Sequence, residues 1–293
     1  MAGRPHAPTV RLRRLAAELR ALRESAELTR ENVAERTGIN TVTLYRIENA
    51  RVRPQARTLM TLLDLYGVAD DRKTELVALL RDARQRGWLQ AYESLLPQQY
   101  TAYIGFEAEA AAIWNYESLF VPGLLQTKDY ARAVTRAGLP TASDDEIDRR
   151  VEVRMQRQGI LAAGNPLELW AIVDEAALRR QVGGPDVMRA QLSHLADAAA
   201  LPHITLQVVP YSAGAHAGML GSFVILQFDD ETDPDVIYLD SMAGNLFLES
   251  EIEVRRYRLA FEHLRAVAMS PDGSRAHVAA IRDEMRSTEG KAR

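Results

Sequence analysis

Apolar side chains recur at helical spacing in short blocks along the first 87 residues. Leu12, Leu15, Ala16, Leu19 and Leu22 follow the i, i+3, i+4, i+7 rule and predict a helix over about 11–24. Thr29 can cap a second helix, and Leu44 and Ile47, three apart, turn one stripe of a third inward. Leu59, Leu62, Leu63 and Tyr66 follow Pro54 and end at Gly67; Leu76, Leu79, Leu80 and Ala83 end at Gly87. The pattern predicts an all-α domain of five helices over 10–87.

From Trp88 the texture changes, with Tyr92, Tyr100, Tyr103, Phe106, Trp114 and Tyr116 close together. Pro97 interrupts the helical pattern, so 88–100 is expected to be a linker. An α+β domain is predicted over 101–270. Helices are expected over 127–137, over 143–161 behind the capping sequence Ser143-Asp144-Asp145-Glu146, and over 185–199 with Pro185 in the first turn. Strands are expected over 167–173, 204–209, 222–228 and 236–239, with a short one over 246–248, and a helix over 252–268 closes the domain. The later strands are expected to be antiparallel neighbours in a small, mostly antiparallel sheet, and 271–293 to be a tail. The first nine residues, with Gly3, Pro5 and Pro8, are expected to form a loose arm carrying Arg4, read as a disordered end.

The stretch from Thr29 to Asn49 carries the chemistry. Ala34 is small where two helices would cross, and Gly38 can adopt the positive φ of a sharp turn. Asn40 is a good N-cap for a helix starting at Thr41. Stepping 100° per residue with Leu44 and Ile47 inward leaves Val42, Tyr45, Arg46 and Asn49 outward and Thr41 on the flank. This is the layout of a helix-turn-helix, whose second helix enters the major groove of double-stranded DNA. Arg46 can bind guanine bidentately or a phosphate, Thr41 and Val42 can meet a thymine methyl, and Tyr45 suits a phosphate oxygen. Asn40 and Thr43 complete the candidate contact set. A helix pair of this shape also occurs as a plain structural hairpin, but the small residue, the glycine and both apolar positions all stand at the required offsets.

Over residues 10–67 the chain resembles the xenobiotic-response-element class of transcription regulators, on the helix count, the turn and the Arg46-Ile47-Glu48-Asn49 helix end. The resemblance implies that Arg30, opening helix 2, touches DNA. It also implies a structural pair between Arg23 and Glu48 that sets how the helices dock. Ala50 departs from the glycine usual after that asparagine.

Charge divides along the same line. Residues 1–60 hold 12 Lys+Arg and 6 Asp+Glu, a net +6, while residues 61–293 hold 24 and 34, a net −10. A basic head draws the phosphate backbone and predicts binding that weakens steeply with salt. The whole chain has 293 residues, 47% apolar, enough for two cores. With no cysteine, disulfides, thiolate metal sites and cysteine nucleophiles are excluded. Neither a stretch of eighteen apolar residues nor a signal-peptide pattern is present, so a cytoplasmic protein without membrane contact is expected.

The C-terminal region resembles the large domain of actinobacterial WhiJ-like, antitoxin-like helix-turn-helix regulators. The residues that carry this are 119–127 (Leu-Phe-Val-Pro-Gly-Leu-Leu-Gln-Thr), 174–179 (Asp-Glu-Ala-Ala-Leu-Arg) and 211–218 (Tyr-Ser-Ala-Gly-Ala-His-Ala-Gly). The resemblance spans about 10–270 and implies transcriptional control coupled to a ligand or to a small protein partner encoded nearby.

Catalysis finds little support. The six histidines show no metal-helix spacing, Ser212 lacks a Gly-x-Ser-x-Gly elbow, and Gly183-Gly184 is followed by no Lys-Ser/Thr pair. Asp229, Asp230, Glu231, Asp233 and Asp235 read as a solvated turn rather than a cation site, and Asp174-Glu175 as a helix cap. No enzyme activity, metal or cofactor is expected. Trp114, Tyr116, Trp170, Tyr211 and His216 are candidates for a small-molecule effector site, although strand aromatics are core by default. Three readings follow. The chain is a dimeric regulator on a palindromic operator with reading helices about 34 Å apart; or an antitoxin-like module that binds a small protein, with autoregulatory DNA binding; or, distantly, an enzyme tethered to DNA. The first is preferred.

Overall fold

The computed structural model describes residues 10–82, 92, 95–229, 234–241 and 244–289. Trp88, Asp230, Glu231, Asp233 and the arm with Arg4 lie outside them. The chain divides into two compact units, 1–109 and 110–293.

In the first unit the predicted helices form as α1 (Val10–Ser25), α2 (Arg30–Thr37), α3 (Thr41–Glu48), α4 (Ala56–Leu65) and α5 (Asp70–Asp82), followed by α6 (Gln98–Glu109). The helix-forming stripes become one core: Leu15, Leu19, Val33, Leu44, Ile47, Leu59, Leu62, Leu63, Leu76 and Leu80. Thr29 starts α2 with a reciprocal capping box, its Oγ1 accepting from the Asn32 amide while Asn32 Oδ1 accepts from the Thr29 amide. Helix α6 replaces the end of the expected linker. Pro97 does not interrupt the chain there but precedes the first turn of α6, its carbonyl accepting from the Thr101 amide. A proline at a helix start lacks only an amide that would go unused. Tyr103, Ile104 and Phe106 of α6 are buried.

The second unit is α+β around a six-stranded mixed sheet of order β3-β2-β1-β4-β5-β6. The strands are β1 (Ala112–Glu117), β2 (Glu168–Asp174), β3 (Ile204–Val209), β4 (Phe223–Gln227), β5 (Val236–Leu239) and β6 (Leu246–Leu248). β4, β5 and β6 are antiparallel neighbours, whereas β1, β2 and β3 run parallel. The parallel half follows from the connections. Helices α7 (Lys128–Gly138) and α8 (Asp144–Arg157) join β1 to β2, and α9 (Glu175–Arg179) and α10 (Pro185–Ala198) join β2 to β3. β1, which the apolar pattern did not separate from its aromatic surroundings, is the centre of the sheet. On one face Tyr116, Ile172, Phe223, Ile225 and Ile237 pack against Phe261 and Leu264 of α11 (Glu251–Val267).

The expected tail carries a further helix, α12 (Pro271–Glu289), packed on β3 and α10. Val278 and Ile281, three apart, are buried, and Ser274 Oγ accepts from the Val208 amide at 2.9 Å. Met269 exchanges with the same strand through its amide and carbonyl. This segment covers the outer edge of β3, which would otherwise be open to another strand.

Candidate nucleic-acid interface

Helix α3 is set by its two ends. Gly38 takes φ 72° and its amide returns to Ala34, closing the turn after α2. Asn40 Oδ1 accepts from the Val42 amide at 2.7 Å, so its side chain caps α3. At the other end Asn49 Nδ2 donates to the Tyr45 carbonyl at 2.7 Å. Ala50 takes φ 52°, the left-handed conformation that favours glycine, and the Arg46 carbonyl accepts from both the Arg51 and Val52 amides.

Between these ends the side chains divide. Leu44 and Ile47 are buried, while Val42 is 55% exposed and Tyr45 40% exposed. Thr43, Arg46 and Asn49 are also exposed and Thr41 is half-buried. The structure therefore brings Asn40, Thr41, Val42, Thr43, Tyr45, Arg46 and Asn49 to one open surface, with Asn40 and Asn49 also holding the backbone.

Glu48 faces the opposite way and is buried. Its Oε1 accepts from Arg23 Nε at 2.6 Å, and its Oε2 from Arg23 Nη2 at 3.2 Å and from Arg30 Nε at 2.8 Å. Arg23 also donates to the Leu28 carbonyl. One carboxylate thus joins α1, α2 and α3. Arg30, expected from the resemblance to be a DNA contact, is tied through its Nε to this junction, and the structure places it on the same carboxylate as Arg23. The Arg23 guanidinium is raised above its ordinary value, chiefly by the Glu48 hydrogen bond. Burial first, and then the Glu48 charge, push the neighbouring Tyr66 hydroxyl up to about 12.

Arg51 was not among the expected residues. Its guanidinium lies 5.5 Å from the Tyr45 ring centroid, and that of Arg30 lies 5.4 Å from it. The left-handed turn at Ala50 is what returns Arg51 to the helix, a conformation that the residue type at position 50 argues against. Arg30 and Arg51 consequently bring positive charge to Tyr45, and Arg46 is exposed on the same helix, a surface suited to a phosphate backbone.

The candidate effector residues of the second unit are placed differently. Trp114 and Trp170 meet edge-on at 6.5 Å and both contact Phe261, while Tyr116 is fully buried. Arg265 lies 3.8 Å over the Trp170 ring. His216 contacts the Tyr116 ring edge-on, with Nδ1 accepting from the Gly218 amide and Nε2 3.3 Å from Asp174 Oδ2. Gly218 has no room for a side chain, since a Cβ there would stand 2.3 Å from the Tyr116 ring. Tyr211 is 59% exposed, and its backbone amide donates to Glu175. Trp114, Tyr116 and Trp170 therefore belong to the packing beneath α11, Tyr116 and His216 meet, and the Tyr211 side chain stands in solvent.

Asp174 caps α9 through the Ala176 amide. Burial opposes ionisation of Glu175, but the Tyr211 amide and Arg179 outweigh it and hold its carboxyl below the usual value. Asp235 pairs with Arg258 at 2.5 Å. Among the described residues no group of three or more His, Asp or Glu is placed to hold a metal ion, and no helix is long and apolar enough to cross a membrane.

Comparison with known proteins gives two family matches, the second beginning at residue 100, within the first unit. A family model described as a helix-turn-helix domain matches residues 14–76, which supports a DNA-binding regulator. No curated protein and no solved structure matches the chain. A second family model, described as a domain of unknown function (DUF5753), matches residues 100–280, more than half of the sequence, and the chain therefore belongs to the DUF5753 family.

Proposed function

We propose that the chain is a sequence-specific transcription regulator that binds a palindromic operator as a homodimer and receives a signal through its second unit. The observation that carries this is the division of α3: Leu44 and Ile47 are sealed in the core while Val42, Tyr45 and Arg46 are open. In this reading Arg46 and Val42 read base edges, Tyr45 and Arg51 meet phosphate, and Glu48 holds α3 at its docking angle. The resemblance to xenobiotic-response-element regulators and to the actinobacterial WhiJ-like, antitoxin-like proteins supports the same role in the cytoplasm, without catalysis. The signal is a small molecule or a small protein. A protein partner is favoured by the exposed apolar side chains Leu119, Phe120, Met219 and Leu220. They stand on two loops that Ser118 and Ser222 join by a hydrogen bond.

Selection of bound sequences from a random DNA pool tests the reading. The wild type is expected to enrich a palindrome with half-sites one helical turn apart, with binding that falls steeply as salt rises. Arg46→Ala is expected to cost about 1–3 kcal/mol and to relax preference at one base pair of each half-site. An Arg46→Ala protein with the wild-type preference would overturn the base-reading assignment, and a wild type that selects no sequence would overturn the function.

A further inference from the structure

We propose that the outward face of α11 is where two copies of this chain pair, their helices antiparallel about a twofold axis at Leu259. The proposal rests on the dimeric reading above and gives it a surface. α11 packs on the sheet through Phe261 and Leu264, with Val254 and Tyr257 partly buried beside them. At 100° per residue, the opposite face centres on Leu259, with Ile252 and Ala266 within about 20° of it. These are the positions a surface helix normally gives to polar residues. Here Ile252 is 83% exposed, Leu259 57% exposed and Ala266 exposed. Their spacing of seven residues is that of the seam between paired helices.

The charges beside the stripe choose the partner and its direction. Arg255 and Glu262 flank one side of Leu259; Arg256 and His263 flank the other. An antiparallel twofold arrangement lays Leu259 on Leu259 of the partner subunit and Ile252 on Ala266 of the partner subunit. It sets Arg255 beside Glu262 of the partner subunit, and the symmetry makes this ion pair twice. A parallel arrangement would instead bring Arg255 against Arg256 of the partner subunit, like charges that repel. Within one chain Arg255 pairs with Glu251 at 2.5 Å, both exposed, and the exposed Glu262 with the half-buried Arg265 at 2.8 Å. Such exposed pairs contribute little and exchange readily for new ones. The face is one helix of 17 residues, smaller than the roughly 800 Å² per partner of a standard stable interface. The free dimer is therefore weak, and two DNA half-sites would hold it together by raising the effective concentration of one copy beside the other.

Sedimentation velocity of the full-length protein over a concentration series tests this. Wild type is expected to self-associate reversibly in the micromolar range. Arg255→Glu and Glu262→Arg are each expected to weaken association on the order of tenfold, and the double variant to restore it. Leu259→Asp is expected to leave a monomer. All three side chains are exposed, so circular-dichroism melts should stay at the wild-type temperature. A wild type that stays monomeric at every concentration would overturn the proposal. So would association indifferent to the single changes, or a double variant that fails to recover. Gel shifts on the same proteins separate the two ideas. Specific DNA binding by a chain whose association ignores α11 sinks this surface alone, whereas charge-dependent association without specific DNA binding sinks the regulator reading alone.

Discussion

At Glu48 two arginines from different helices share one buried carboxylate. A buried pair of this kind adds little net stability when complete, because desolvating the charges offsets their attraction. Removing one member is different, since the other charge stays behind. Glu48→Ala is expected to destabilise the first unit by about 3–5 kcal/mol in urea unfolding, and a loss under about 1 kcal/mol would show that Arg23 finds water instead. Glu117, at the end of β1, is a second residue whose setting decides its chemistry. Burial raises its carboxyl to about 7, against hydrogen bonds from Ser222 and Asn115 and the charge of Arg154, while Asp240 pushes the same way as burial. The folded chain therefore keeps a proton that the unfolded chain releases near 4.5, so stability falls as pH rises from about 4.5 to 7 and is level above. Glu117→Gln carries no such proton. It is expected to melt with a flatter pH dependence and to be more stable than wild type at pH 8 by about 1–3 kcal/mol. Identical pH profiles for the two proteins would refute this.

At the scale of elements, the helices with a clean apolar stripe and a cap were legible: α1 to α4, α7, α8, α10 and α11 stand within a few residues of their expected places, α5 carries its expected stripe although Gly87 lies outside the described residues, and α9 was read only from its cap. Three others, β1, α6 and α12, were not. β1 reads as part of an aromatic run, because a central strand buried on both faces shows no alternation. α6 hides behind Pro97, whose meaning depends on whether it starts a helix or breaks one. α12 has a short apolar stripe and a charged remainder, the composition of a solvated end until β3 is placed beside it. Ile281→Ala separates these views of 271–293. It is expected to cost about 2–4 kcal/mol, because Ile281 is buried, whereas a loose tail would lose nothing. The exposed face of α3 was legible for the same reason as its core face, since a helix that buries one stripe must present the other. Arg51 was hidden because it depends on where the chain goes after α3 ends, and the tie on Arg30 because it depends on how α2 and α3 cross.

For the molecule as a whole, the charge is basic over residues 1–60 and acidic over 61–293, and a helical unit precedes an α+β one. The helix-turn-helix, its inward and outward residues, the presence of a second core and the sign of charge on each part all follow from the order of residues alone. These are local or additive properties, set by periodicity, capping and composition. The folded chain adds that three strands run parallel, that Trp114, Tyr116 and Trp170 lie beneath α11, that Glu48 joins three helices, and that Ile252 and Leu259 face solvent. Each of those depends on which distant segments meet, and a periodic stripe records that a face is buried but not which segment covers it.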